Sequence, residues 1–120
     1  MASSTVNLDI AKRLNIIARR GDTFVIEVTF TDENGDAMDL TTFSWKMDVK
    51  TDDRNGTVII EDSDFSYAST PLGVLTITAT ASVMDLIEPG QYLYDLQSTN
   101  SGVVKTWLYG AFIVNGDITT

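Results

Sequence analysis

Carboxylates are the side chains in this sequence with the widest chemical range. The chain has 120 residues, of which 17 are aspartate or glutamate, and it has no histidine and no cysteine. The commonest general base, the commonest metal ligand and any thiolate nucleophile are therefore missing. A hydrolase would have to use two facing carboxylates, and no pair of acids stands out from its turn or strand-edge context. The sequence predicts a protein that is not an enzyme and that has no cofactor.

One acidic segment has the beginning of a calcium-loop pattern. Asp32, Asn34 and Asp36 alternate as the first ligands of an EF-hand loop do. Such a loop also needs glycine at its sixth position and glutamate at its twelfth, where this chain has Ala37 and Phe43. A polar hairpin turn explains the same residues, and we predict a turn without a metal.

The segment Arg20-Gly21-Asp22 is the tripeptide that integrins recognise in adhesive proteins. Integrin recognition needs this tripeptide at a flexible loop tip. Here only Thr23 separates it from an apolar alternating run that begins at Phe24. The sequence therefore predicts a bend leading into a strand rather than an adhesion ligand.

The charge of the chain is strongly negative but unevenly distributed. The net charge is −9, which argues against nucleic acid and against anionic lipid as partners. Four of the basic residues lie among the first twenty: Lys12, Arg13, Arg19 and Arg20. We divide the chain into a basic N-terminal arm at 1–13 and a domain at 14–120. The arm is either solvated or docked on an acidic surface, such as that of a neighbouring copy.

Targeting signals do not stand out in the sequence. The N-terminal residues lack the continuous apolar stretch of a signal peptide, and no run approaches the length of a membrane-spanning helix. We expect synthesis in the cytoplasm and no membrane partner.

Alternation with a period of two residues dominates the sequence. Thr23–Thr31 and Phe43–Thr51 place apolar side chains on one face and mostly polar ones on the other, which indicates half-buried antiparallel strands. About seven such strands occur, with one short helical turn at about 82–88 and Pro89-Gly90 after it. This is the pattern of an all-β, immunoglobulin-like antiparallel β-sandwich, with Trp45 as a core residue and a tyrosine corner at Tyr92 or Tyr94.

The last two predicted strands form a hairpin rich in aromatic residues. A two-residue turn at Asn100-Ser101 would place Tyr94 opposite Trp107 and Tyr92 opposite Tyr109. The four rings would then share one face. They either fill the core or form an exposed platform for sugars or a protein partner.

The last strand has apolar residues on both of its faces, which is not expected of a strand with one face exposed to solvent. Its two faces carry Trp107, Tyr109 and Ile113 on one side and Leu108, Phe112 and Val114 on the other. Either another protein covers the second face, or a bulge at Gly110 switches the faces midway. The candidate partner interface consists of Lys12, Arg13, Trp107, Tyr109 and Ile113.

Several motifs together resemble a known group of proteins. They are "RGDTF", "TDENGD" leading to "DLTT", "WKM" in the third strand, and "PGQYLYDL" closing in "GAFIV". Over residues 14–118 the sequence resembles small immunoglobulin-like proteins and domains of tailed bacteriophages and prophages, which are encoded among virion structural genes. Gly21, Asp22, Gly35, Pro89, Gly90 and Tyr92 match this group as structural positions only.

The resemblance implies a function as well as a fold. It implies a non-enzymatic virion component of the head, connector, tail or baseplate, present in multiple copies in a symmetric assembly, with other virion structural proteins as partners. It supplies no catalytic residues. A carbohydrate-binding or host-adhesion module is the alternative, and it would use the aromatic residues of the last hairpin.

Overall fold

Short strands make up most of the chain. A computed structural model describes residues 2–7, 12–32 and 34–116. Its helix, α1, spans Ala81–Asp85, and a single 3₁₀ turn spans Asp62–Asp64. The strands are β1 (Ala2–Asn7), β2 (Lys12–Arg13), β3 (Ile16–Arg19), β4 (Phe24–Thr31), β5 (Ser44–Thr51), β6 (Val58–Ile60), β7 (Ser66–Ser69), β8 (Val74–Ala79), β9 (Gly90–Asn100) and β10 (Val103–Asn115). The all-β prediction is confirmed.

The strands form two sheets that enclose one core. One sheet has the order β1-β4-β8-β7, and the other has the order β2-β10-β9-β5-β6, with β3 also pairing with β10. Pairing is antiparallel except where β1 joins β4 and where β2 and β3 join β10. Alternate residues of β4 and β5 are buried between the sheets, because successive side chains of a strand point to opposite faces. The sandwich predicted from the alternation is present.

The structure adds strands to those that the alternation predicts. β7 lies in Ser66–Ser69, where no apolar alternation marks it. In the segment predicted as a basic arm, Ala2–Asn7 pairs with β4, and Lys12–Arg13 pairs with Leu108 and Tyr109 of β10. Lys12 and Arg13 therefore lie on a sheet edge, and not on an arm separate from the domain.

The corner before β9 follows the sequence prediction. Helix α1 lies within one residue of the predicted start, and the hydroxyl of Thr80 accepts a 3.3 Å hydrogen bond from the amide of Val83. The hydroxyl of Tyr92 donates a 2.6 Å hydrogen bond to the carbonyl of Glu88. This bond back to the upstream backbone is the tyrosine corner of immunoglobulin-like sandwiches, and it identifies Tyr92 rather than Tyr94 as the corner residue.

The Arg-Gly-Asp segment lies in the bend between β3 and β4. The amide of Asp22 donates a 3.2 Å hydrogen bond to the carbonyl of Arg19. The side chains of the same two residues approach to 3.8 Å. The predicted bend is confirmed, and Thr23 alone separates it from β4.

Tyr67 connects the two sheets at the β6–β7 side of the sandwich. Its hydroxyl accepts a 2.8 Å hydrogen bond from the amide of Met47 in β5 and donates a 2.6 Å bond to Oδ1 of Asp62. Burial, followed by the hydrogen bond to Asp62, raises the pKa of Tyr67 above its ordinary value. The hydroxyl thus stays protonated and keeps both bonds at neutral pH.

We expect Tyr67→Phe to lower the free energy of unfolding by about 1–2 kcal/mol, because the amide of Met47 loses its hydrogen-bond acceptor. Urea unfolding followed by circular dichroism measures the change. Tyr109→Phe is the matched control, since the half-exposed Tyr109 should change stability by less than about 0.5 kcal/mol. Equal stability of Tyr67→Phe and the wild type would show that the hydroxyl does not connect the sheets.

Candidate functional site

The turn between β9 and β10 sets the register of the hairpin. The turn residues are Ser101 and Gly102, with φ of 52° and 80°, and Val103 pairs with Asn100. Two successive positive φ angles match the twist of a two-residue hairpin turn. The register predicted from a turn at Asn100-Ser101 is therefore wrong by two residues near the turn.

A β-bulge then moves Trp107 out of the predicted arrangement. The register shifts between Thr106 and Leu108, so that Trp107 is the extra residue of the bulge. The bulge thus lies at Trp107 and not at Gly110, where the sequence suggested one. After it, Leu108 pairs with Leu96.

Trp107 is part of the core. Its side chain is 1% exposed, its Nε1 donates a 2.7 Å hydrogen bond to the hydroxyl of Ser98, and its ring centroid lies 5.1 Å from that of Phe30. The prediction that Trp107 contributes to a partner interface is wrong, because a side chain enclosed in this way cannot contact a partner. Tyr94 is buried as well. The four rings therefore do not share one exposed face.

The bulge explains one of the three apolar residues on the second face of β10, because it turns Trp107 inward. Leu108, Phe112 and Val114 are buried in the core, while Tyr109 is 45% exposed on the other side and Ile113 is partly buried there. The pattern therefore does not by itself require a covering partner. It leaves an outward side that still carries apolar groups.

Leu14 and Asn15, which form the break between β2 and β3, are hydrogen-bonded to β10 and β9 residues. The amide of Leu14 donates to the carbonyl of Tyr109 at 2.9 Å, and the hydroxyl of Tyr94 donates to the carbonyl of Leu14 at 2.5 Å. The amide of Ala111 donates to Oδ1 of Asn15 at 3.1 Å. Burial raises the pKa of Tyr94, so its hydroxyl remains a donor. These bonds hold Arg13 beside Tyr109 on the sheet.

We call the solvent side of β2, β3, β10, β9 and β5 the outer face. Pairing places its side chains in rows that cross the strands. The first row is Arg13, Tyr109, Asp95 and Asp48; the second is Ala111, Leu93 and Lys50; the third is Ile17, Ile113 and Gln91. Ile17 and Leu93 are 68% and 44% exposed. The middle of the face is apolar and its rim is charged.

A depression lies on β10 in the middle of the outer face. Ala111 is only 6% exposed, because its small side chain lies low between larger neighbours. Arg13, Tyr109 and Leu93 are among the residues around a volume of about 440 Å³. Leu93, on the neighbouring strand, is the exposed apolar residue beside this depression. The protruding side chain of Leu93 and the depression at Ala111 therefore lie in the same row.

Four of the five predicted interface residues belong to this region. Arg13, Tyr109 and Ile113 lie on the outer face, and Lys12 pairs with Leu108 at its edge. That they bind a partner remains a prediction. Sequence reasoning missed a further three residues, Ile17, Leu93 and Ala111. The alternation in β3 and β9 contained the signal, since each of the first two is the apolar residue on the strand's outer side.

Asp32, the first residue of the possible calcium-loop pattern, bonds to the backbone of its own turn. Oδ1 of Asp32 accepts hydrogen bonds of 2.9 and 3.0 Å from the amides of Asn34 and Asp36, as in an Asx turn. Within residues 12–32 and 34–116, no group of three or more acids could hold a metal ion. None of the helices in the described ranges is long and apolar enough to cross a membrane.

Comparisons with known proteins identify the fold. No protein-family model and no curated protein matches the sequence. The structure is similar to the N-terminal domain of phage TP901-1 ORF48, with a TM-score of 0.53 and 11% identity over 98% of this chain and 99% of that one. It is also similar to the Lin-41 filamin domain, with a TM-score of 0.50 and 17% identity over 82% of each chain. The chain has an immunoglobulin-like β-sandwich fold, as the sequence predicted.

Proposed function

We propose that this chain is a non-enzymatic structural module of a tailed-phage virion that binds other virion proteins. The observation that supports this proposal best is the similarity to a phage domain over nearly the whole of both chains. At 11% identity this similarity concerns the fold. The motifs shared with phage immunoglobulin-like proteins support the same function from the sequence.

The outer face provides the binding surface in this proposal. Exposed apolar side chains next to one another are typical of protein–protein contacts, and Ile17, Leu93 and Tyr109 are the exposed ones here. Arg13 and Asp95 supply charges of both signs beside them. Contacts of this kind gain strength from repetition in a symmetric particle.

The structure gives less support to a carbohydrate-binding module. That alternative depended on an exposed row of four rings. Trp107 and Tyr94 are buried, and the hydroxyl of Tyr92 is bonded to the corner before β9. We therefore do not propose it.

Purified particles test the proposed function directly. We expect the chain in multiple copies per particle by quantitative mass spectrometry, at one defined position by electron microscopy. In a pull-down with the other virion proteins, the outer-face variant Tyr109→Asp should lose its partner. The control Leu72→Asp should keep it, because the exposed Leu72 lies in the turn between β7 and β8. A chain that is absent from particles and binds no virion protein would contradict the proposal.

A further inference from the structure

We propose that the outer face binds the outer face of a second copy of this chain. The two-fold axis lies parallel to β9 and β10 and passes between them. This inference rests on the proposed assembly role, and it adds the identity of one partner and the geometry of the contact. An isologous contact of this kind requires a surface that is complementary to itself.

The middle of the outer face meets this requirement. Leu93 and Ala111 are paired neighbours on β9 and β10, one exposed and one at the base of the 440 Å³ depression. An axis between these strands places β9 of each copy over β10 of the other. Leu93 of each copy then enters the depression above Ala111 of its partner, and this contact occurs twice. Filling an apolar hollow with an exposed leucine removes apolar surface of both copies from water.

The charged row follows the same symmetry. Tyr109 pairs with Asp95 across β10 and β9, so the axis brings the hydroxyl of Tyr109 to the carboxylate of Asp95 of the other copy. At the outer strands it brings Arg13 to Asp48. Asp48 has a contact of 3.9 Å with the exposed side chain of Lys46, which is a weak pair. Each copy therefore contributes an unlike charge or a hydrogen-bond partner to the other.

A two-fold axis running across the strands fits the surface less well. It would stack each strand on the same strand of the partner. With the axis along the Arg13 row, Arg13 and Asp95 would each face the same residue of the other copy, and with the axis along the Ala111 row the depression would face a second depression. Like charges and an unfilled hollow both disfavour this arrangement.

The size of the face predicts a weak contact. Four strand positions about 4.8 Å apart, one of them shared by β2 and β3, and three rows about 7 Å apart give a patch of roughly 20 Å by 20 Å. This is smaller than the roughly 800 Å² per partner of a stable complex. The dimer should therefore form at high protein concentration or where a larger assembly holds copies together.

Sedimentation velocity and small-angle scattering over a concentration series test the central contact. We expect a reversible monomer–dimer equilibrium for the wild type. Leu93→Asp should weaken the dimer about tenfold or more, because a charge would enter the depression. Leu72→Asp makes the same change at a more exposed position outside the face, 72% against 44% for Leu93, and should leave the equilibrium unchanged. Circular dichroism verifies that both variants are folded.

A charge-reversal series tests the orientation. Arg13→Glu should weaken the dimer, because it places a glutamate near Asp48 of the partner. Adding Asp48→Asn should restore part of the affinity, because asparagine removes the repulsion. Its side-chain oxygen can still accept the hydrogen bond that the amide of Asp62 donates to Asp48 at 2.9 Å. Arg54→Glu, in the exposed turn before β6, is the control with the same charge change.

The outcomes separate this inference from the proposed function. A chain that remains monomeric up to its solubility limit, or a dimer that Leu93→Asp does not weaken, overturns the self-contact. No gain from Asp48→Asn in the Arg13→Glu background overturns the orientation. If a monomeric chain still binds other virion proteins, the self-contact fails and the proposed function stands.

Discussion

Replacing Trp107 with alanine is expected to lower the free energy of unfolding by about 3–5 kcal/mol, the range for removing a large aromatic side chain from a core. The ring packs edge-on against Phe30, and the Nζ of Lys105 lies 4.3 Å from its centroid. The hydroxyl of Ser98, which is buried, would also lose the donor that bonds it at 2.7 Å. Denaturant unfolding monitored by circular dichroism measures the loss.

Two further variants make this prediction specific. Trp107→Phe keeps an aromatic ring in the core and loses the bond to Ser98. It should therefore lower the free energy of unfolding by less than Trp107→Ala does. If Trp107→Ala does not fold, Trp107→Phe is the variant to measure. Tyr109→Ala, two residues along the same strand, should cost less than about 1 kcal/mol because its side chain is half exposed. Similar losses at the two positions would place Trp107 at the surface, as in the exposed-platform alternative for the hairpin.

The sequence predicts the strands that carry apolar alternation and misses those that do not. The predicted strands Thr23–Thr31 and Phe43–Thr51 lie within about one residue of β4 and β5, because their alternation reflects burial on one side. β7 was missed because Ser66–Ser69 is polar or small and is partly exposed at a sheet edge. β1 was missed because Ala2–Asn7, with the sequence ASSTVN, has no apolar alternation.

The candidate site was harder to predict than the fold, since it depends on register. Gly102 could have indicated the correct turn, because a two-residue turn with positive φ favours glycine at its second position. The bulge at Trp107 had no such signal, and it decides which aromatic residues are exposed. Lys12 and Arg13 were predicted from the basic N-terminal segment, and Tyr109 and Ile113 from the apolar residues on both faces of the last strand. The structure places all four where β2 and β3 pair in parallel with β10. Leu93 could be found from the alternation in β9, whereas Ala111 required the three-dimensional pairing of β9 with β10.

Replacing Gly110 with alanine is expected to lower the free energy of unfolding by about 2–4 kcal/mol, from backbone strain and lost hydrogen bonds. Gly110 has a φ of 151°, which L-residues rarely adopt, and an added Cβ would lie 2.6 Å from the carbonyl oxygen of Leu14. Leu14 must therefore move away. Its bonds with the hydroxyl of Tyr94 and the carbonyl of Tyr109 would then be lost. Denaturant unfolding measures this change.

Hydrogen exchange shows which backbone hydrogen bonds Gly110→Ala weakens. We expect faster exchange at the amides of Leu14 and Ala111, which hold the break between β2 and β3 on β10, and little change between β9 and β5. Gly102 also has a positive φ, of 80°, but no atom lies within 4 Å of an added Cβ, so Gly102→Ala should show backbone strain alone, about 1–2 kcal/mol. Uniformly faster exchange would contradict local release of this edge.

Release of the edge would also displace Arg13 from its position beside Tyr109. Gly110→Ala should therefore weaken the proposed self-contact while its core remains folded.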